Sequence, residues 1–225
     1  MAHQSLTADT LITSLPSPAT ILEKQDDPVI YDISLTYGEL KPSSVVEVLT
    51  LAAKHCLIPP PWSFFDIGAG AGHPCLIAGA LYPSQFTSLA GVEILPSYHR
   101  ASLLNQAHLL TTLPPGGEAH SKVEGIDFHL GDTLDPMHAT RIAATDVVFA
   151  NATAFSEDLL RGVFRILDDL KPGALFICTS QKLTSPLFEL CQERVVPSSW
   201  GEATVRVYRR RKLGKWIAGF GGRKI

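Results

Sequence analysis

Eight consecutive residues concentrate the chemical potential of this chain: Phe65-Asp66-Ile67-Gly68-Ala69-Gly70-Ala71-Gly72. Glycines at that density let a backbone turn sharply and let a ligand approach peptide groups without obstruction by side chains. The spacing departs from the G-x-G-x-x-G pattern that seats a pyrophosphate on a helix N-terminus, because Gly72 comes one residue early. In compensation a carboxylate, Asp66, stands two residues before the first glycine. That exchange suits a ligand with no phosphate to cradle and an ammonium group, or a bridging water, for the carboxylate to receive. Two further acids fit the same ligand. Glu93 stands 21 residues after Gly72, near the ~20-residue distance at which a strand-end acid accepts from ribose hydroxyls. Asp132, in Gly131-Asp132-Thr133, follows a later strand where a loop would meet an adenine ring. A turn-forming Asp would look the same there.

Such residues work only if strands and helices bring them to one edge. Strand-like runs are expected at Ser63–Ile67, Leu89–Ile94, Ile126–Leu130, Thr145–Ala150, Gly173–Thr179 and Ala203–Arg210. Helical patterns cover Val45–His55, His73–Leu81, Pro96–Thr111, Ser156–Leu170 and Pro186–Arg194. Pro74 falls in a first turn, where its missing N–H costs nothing, and Ser156-Glu157-Asp158 opens its helix with a capping pattern. Residues 112–125 read as an exposed, mobile loop. Alternation of strand and helix predicts an α/β fold, a parallel sheet with helices on both faces. The last strand follows no clear crossover helix and is expected to add antiparallel at the edge region.

Composition excludes several classes. The 225 residues are 45% hydrophobic and 18% charged, enough for one substantial core and too apolar for disorder. No apolar run approaches the ~18–20 residues of a membrane span, and the N-terminal stretch lacks the basic start and apolar centre of a secretory signal. Cys56, Cys75, Cys178 and Cys191 form no C-x-x-C pair and read as buried free thiols of a reducing, intracellular compartment. The scattered His55, His73, His99, His108 and His129 suggest no metal site, and His73 beside the Gly loop reads as a lip of the ligand site. The net charge of −3 hides an asymmetry. Residues 1–202 carry all 22 acids and 11 bases, while 203–225 carry eight bases and no acid. Within that segment Arg209, Arg210, Arg211, Lys212 and Lys215 are expected to form a patch for DNA phosphates, with Trp216 and Phe220 able to dock the tail. The chain divides into a polar lead-in (1–28), one domain (29–210) and a basic tail (211–225).

The D-x-G-x-G-x-G loop resembles that of the S-adenosylmethionine-dependent methyltransferases of the Rossmann-like class. More specifically, the order of motifs resembles the Dot-one (disruptor of telomeric silencing) histone-lysine methyltransferases. The match is carried by Tyr37-Gly38-Glu39, Phe65–Gly72, Gly91-Val92-Glu93, Gly131-Asp132-Thr133-Leu134, residues 148–155 and Ser199-Trp200-Gly201. The resemblance implies a mostly parallel seven-stranded sheet and S-adenosylmethionine as cofactor. It assigns Tyr37, Glu39 and Asp66 to the cofactor's amino-acid end, Gly68, Gly70 and Gly72 to its turn, Glu93 to the ribose, and Asp132 with Thr133 to the adenine. Asn151 would lie beside the transferring methyl, and Phe149, Phe155, Thr179 and Trp200 around a lysine channel. Asn151 also stands on its own merits, since a polar amide at a strand's carboxyl end sits where ligands bind. Phe149, in a buried strand, reads as plain core rather than channel, while Phe155 and Trp200 fit either reading equally.

The chain departs from the family in three places. Asn151-Ala152 replaces paired asparagines, Val207 stands where a channel tyrosine is expected with Tyr208 next to it, and only 36 residues precede Tyr37. A one-residue shift cannot simply recruit Tyr208, because neighbouring strand residues face opposite sides. The function implied is methyl transfer to a protein lysine, of histone H3 in a nucleosome, and hence in the nucleus. The alternatives are methylation of another protein or small molecule, or a non-catalytic cofactor-binding module.

Overall fold

A computed structural model describes residues 38–212. Tyr37, Lys215, Trp216, Phe220 and the lead-in 1–28 lie outside the described residues.

The described residues begin with α1 (Pro42–His55), followed by β1 (Trp62–Ile67), α2 (His73–Leu81) and β2 (Phe86–Glu93). Next come α3 (Pro96–Thr112), α4 (Glu118–Glu124), β3 (Asp127–Leu130), α5 (Pro136–Ala143) and β4 (Val147–Ala150). The last elements are α6 (Glu157–Leu167), β5 (Leu175–Thr179), β6 (Phe188–Ser198) and β7 (Gly201–Arg210). The strands form one seven-stranded sheet in the order β3-β2-β1-β4-β5-β7-β6. β1 to β5 pair in parallel, and β7 is antiparallel to both β5 and β6.

Alternation along the strands feeds two cores. Phe64 packs with Leu76, Ile77, Leu175 and Val207 under α1 and α2. Its neighbour Phe65 packs with Val148, Phe176, Leu167 and Tyr208 on the opposite face. Central strands buried on both faces need no polar alternation, which is why they read as continuous apolar runs. Ser156 caps α6 as expected, its Oγ accepting from the Leu159 N–H at 3.3 Å.

Three expectations are corrected. Residues 186–194 are not a helix. Their Leu, Glu and Gln favour helix locally, but Phe188–Ser198 instead pairs along the whole of β7 and buries Phe188. The last strand is therefore not at the edge: β7 lies between β5 and β6, and β6 is outermost. Residues 112–125 are not wholly loop either. Within them, α4 buries Val123 completely, and Gln106 Nε2 donates to the carbonyls of Val123 and Ile126 at 2.8 and 3.0 Å. The helix α5, unforeseen in sequence, buries His138 and Ile142.

Candidate active site

Strand order reverses at β1, which lies between β2 and β4. The loops leaving β1 and β4 there run to opposite sides, and a crevice opens beyond their carboxyl ends, where open α/β sheets bind ligands. The Gly loop follows β1, and Asn151 follows β4.

The loop needs its glycines for measurable reasons. Gly68, Gly70 and Gly72 hold φ values of 71°, 55° and 84°, the left-handed region that ordinary residues avoid. A Cβ on Gly72 would also lie 2.6 Å from Phe128 Cζ, and one on Gly68 3.2 Å from Phe155 Cζ. The turn is tied to β2. The N–H groups of Gly68 and Ala69 donate to the Val92 carbonyl at 2.9 and 3.0 Å. The Gly70 N–H donates to Glu93 Oε2 at 2.9 Å, and the Leu95 N–H to Glu93 Oε1 at 2.9 Å. Burial pushes the Glu93 carboxyl up from its ordinary pKa, while these N–H groups pull it back.

Asp66 is in a different position. It is 1% exposed, and its Oδ2 has no hydrogen-bond partner among the described residues. Desolvation, with Glu93 adding repulsion, raises its pKa well above the ordinary carboxylate value. It borders a small cavity shared with Glu39, His73 and Asn151. His73 Nδ1 pairs with Glu39 Oε1 at 2.9 Å, and His73 Nε2 is buried without a partner among the described residues.

A larger cavity adjoins it across Gly38, Gly68, Gly70 and Asn151. Glu93, Tyr98, Asp132, Thr133 and Phe155 line its other walls. Asp132 Oδ1 accepts from the Leu134 N–H at 2.8 Å, so it shapes its own turn as well as facing the cavity. Tyr98 was not singled out in the sequence. It sits in the first turn of α3, and burial, with Glu93 and Glu39 nearby, pushes its phenol pKa up. An aromatic a few residues past a strand-end acid was the available signal.

Asn151 is held from both sides. Its Nδ2 donates to the Gly38 carbonyl at 2.6 Å, and its Oδ1 accepts from Thr179 Oγ1 at 2.7 Å. Thr153 Oγ1 extends the network, 3.1 Å from Thr179 Oγ1 and 3.0 Å from Ser180 Oγ. Phe149 is buried and borders the smaller cavity. Trp200 does not line the larger cavity; it sits at the turn of the β6–β7 hairpin with its ring against Gly38. Val207 is fully buried in the first core, and Tyr208 stacks on Phe176 in the second while its hydroxyl accepts from the Leu183 N–H at 3.1 Å. Neither supplies an aromatic wall to the crevice.

The expected phosphate patch is corrected. Arg209 Nη2 pairs with Glu189 Oε1 at 2.6 Å, and Arg210 is 8% exposed with Nη2 donating to the Asp168 carbonyl at 3.0 Å. Strand pairing draws both side chains onto the body, so among the described members only Arg211 and Lys212 are exposed. Among the described residues no group of three or more His, Cys, Asp or Glu is placed to hold a metal ion, and no helix is long and apolar enough to cross a membrane. Cys75 and Cys178 are buried free thiols, with desolvation pushing Cys178 up to about 12, and Cys56 and Cys191 are half-buried.

This geometry fits S-adenosylmethionine. An unpaired buried carboxylate suits an ammonium, left-handed glycines leave a path for backbone approach, and the clamped acid at the end of β2 keeps lone pairs that hydroxyls can use. Residues 32–198 match the model of the family described as histone methylation protein DOT1. No curated protein matches the chain by sequence. Among solved structures, an rRNA methyltransferase, AviRa, from Streptomyces viridochromogenes is similar with a TM-score of 0.58 at 15% identity, over 80% of this chain and 90% of that one. TrmN from Thermus thermophilus is similar with a TM-score of 0.55 at 20% identity, over 79% and 51% respectively. A Pyrococcus horikoshii protein gives 0.60 at 12% identity, over 91% and 97%. Likeness at these identities concerns the fold.

Proposed function

The chain belongs to the DOT1 histone methylation family, a group of Rossmann-like methyltransferases that use S-adenosylmethionine, and from that premise we propose that it methylates a lysine amine of a protein, histone H3 within nucleosomes. The observation that carries the reading is Asn151. A neutral amide held on two sides stands at the tip of β4, with Phe155 sharing its cavity and Asp66 bordering the adjoining one.

Bound S-adenosylmethionine supplies an electrophilic methyl carbon on a sulfonium sulfur. Asp66 would receive its ammonium group, Glu93 its ribose hydroxyls, and Asp132 with Thr133 would flank the adenine. Tyr37, outside the described residues, and Glu39 would join Asp66 at the amino-acid end. On the acceptor side the lysine must arrive as a neutral amine, although its free pKa is near ~10.4. Phe155, Ala154 and Leu159 give the cavity an apolar wall, and such a wall disfavours the ammonium form by desolvation. Asn151, held by Thr179 Oγ1, can orient the amine but cannot hold its proton, so the proton leaves to solvent. Catalysis then rests on alignment of the two reactants, which in favourable cases is worth ~7–11 kcal/mol.

A second reading has one observation in its favour. Val207 and Tyr208, the β7 residues nearest the expected channel tyrosine, lie in the two cores and line neither cavity beside Asn151. A crevice without that tyrosine also suits an acceptor other than a histone lysine. Methyl-transfer assays on nucleosomes, free histones and whole lysate separate the two. Label on H3 is expected, while label only outside histones would overturn the histone assignment. Measurable cofactor affinity without turnover on any substrate would favour a binding module. Nuclear localisation and phosphate contacts through Arg211 and Lys212 belong to the same proposal.

A further inference from the structure

Residues 38–41 form a strap across the crevice, and the β6–β7 hairpin holds it. The Ser199 N–H donates to the Glu39 carbonyl at 2.8 Å, and the Glu39 N–H donates to Ser199 Oγ at 3.0 Å. Leu40 bridges to Ser198 in antiparallel fashion. The Lys41 N–H donates to the Pro197 carbonyl at 3.3 Å, and Ser44 Oγ donates to the same carbonyl at 2.6 Å. Above this ladder the indole of Trp200 covers Gly38 so closely that a Cβ there would lie 2.5 Å from Trp200 Cε3. The three heavy atoms nearest that Cβ all belong to the indole, so the clash an alanine would meet there comes from Trp200.

The strap's other side faces the site. The Gly38 carbonyl accepts from Asn151, Glu39 pairs with His73, and Gly38 borders both cavities. We propose that Trp200 and Ser199 form a latch that fixes the strap, so that Trp200 is a positioning residue for Gly38, Glu39 and Asn151 rather than a wall of the acceptor channel. The hairpin exists for this purpose only because β6 is a strand. Its length carries Pro197–Trp200 to the carboxyl end of the sheet, where the strap passes. The indole remains 41% exposed, so the latch is open to a docking substrate while its inner face reaches the cofactor side.

The inference rests on cofactor binding in the crevice and not on the histone assignment. The test is a double-mutant cycle read by calorimetric binding of S-adenosylhomocysteine, with amide hydrogen exchange of residues 39–41 and 199 in the ligand-free protein. Trp200→Ala and Gly38→Ala should each weaken binding about tenfold, and the double variant should be no worse than Trp200→Ala, because the clash needs the indole. Trp200→Phe should recover most of the loss, and Ser199→Ala should move the same way by about threefold. Strap amides should lose protection in Trp200→Ala. Multiplicative losses in the double variant, or wild-type affinity with reduced turnover in Trp200→Ala, would overturn the latch. Absence of binding to the wild-type chain would strike the cofactor reading instead, while the exchange measurement would still judge the latch. Should Trp200→Ala fail to fold, Ser199→Ala and Trp200→Phe carry the test alone.

Discussion

Asp66 and Asp146 stand at opposite ends of the same pair of central strands, and both are buried, at 1% and 7% exposure. At the amino end, Asp146 is held by its neighbours. Its Oδ2 accepts from the Ser63 N–H at 2.9 Å and Ser63 Oγ at 2.7 Å, and its Oδ1, which has no hydrogen-bond partner among the described residues, is ion-paired with Lys171 Nζ at 2.6 Å. Burial alone would raise its pKa, yet Lys171 and Ser63 hold it below the ordinary carboxylate range. At the carboxyl end, Asp66 has an orphaned oxygen and a pKa driven upward. A fold that gives one buried acid two hydrogen-bond donors and an ammonium, and leaves the other with neither, is not short of donors in general. Under the proposed function the missing partner of Asp66 is the cofactor's ammonium group, and burying a polar atom without a partner costs about 1–3 kcal/mol. On that reading the amino end serves stability and the carboxyl end a ligand.

The contrast can be broken by substitution. Asp146→Ala should produce the largest change in stability, a loss of about 1–3 kcal/mol in denaturant unfolding, because Ser63 and Lys171 lose their acceptor. Asp66→Asn should leave stability unchanged or raised, since it removes an unpaired charge from the interior. Equal losses in both would refute the division of labour.

A smaller effect lies in the pH dependence. The folded pKa of Asp66 lies above its unfolded value, so its contribution to stability falls as pH rises from the ordinary carboxylate range through the raised value. Asp146 has a lowered folded pKa, so its contribution is present above that range and is lost as pH falls through the lowered value. Unfolding free energies measured from pH 3 to 8 should accordingly show the decline towards higher pH shrink in Asp66→Asn, leaving the part due to Glu93, and the decline towards acid shrink in Asp146→Asn.

Glu93 sharpens the contrast from between the two extremes. It is buried but clamped by two N–H groups, so Glu93→Gln should cost little stability, under about 1 kcal/mol, and weaken cofactor binding several-fold. Unaltered affinity would remove Glu93 from the ribose.

The carboxyl-end site was more legible in sequence than its supports were. Asp66, the glycines, Glu93 and Asn151 announce themselves because their chemistry depends on short spacings and strand ends. His73 is legible too, from its place beside the Gly loop, whereas Tyr98 acquires its position only when α3 folds against β2. The strap contacts are wholly non-local, with Glu39 meeting Ser199 across 160 residues. Misreading residues 186–194 as helix hid the hairpin, because helix-favouring Leu, Glu and Gln there are overridden by pairing with β7. The basic strand end misled for a related reason. Arg209 and Arg210 look like a free patch until Glu189 and the Asp168 carbonyl are folded beside them.

The central claim is that the unpaired acid at the carboxyl end belongs to the cofactor. Calorimetric titration of S-adenosylmethionine into the wild-type chain, Asp66→Asn and Asp146→Asn, each at equal folded concentration, tests it directly. The account predicts a dissociation constant raised by about 10- to 100-fold in Asp66→Asn, the ~1.5–3 kcal/mol of a charge-assisted contact, and unchanged in Asp146→Asn. Wild-type affinity in Asp66→Asn would contradict it.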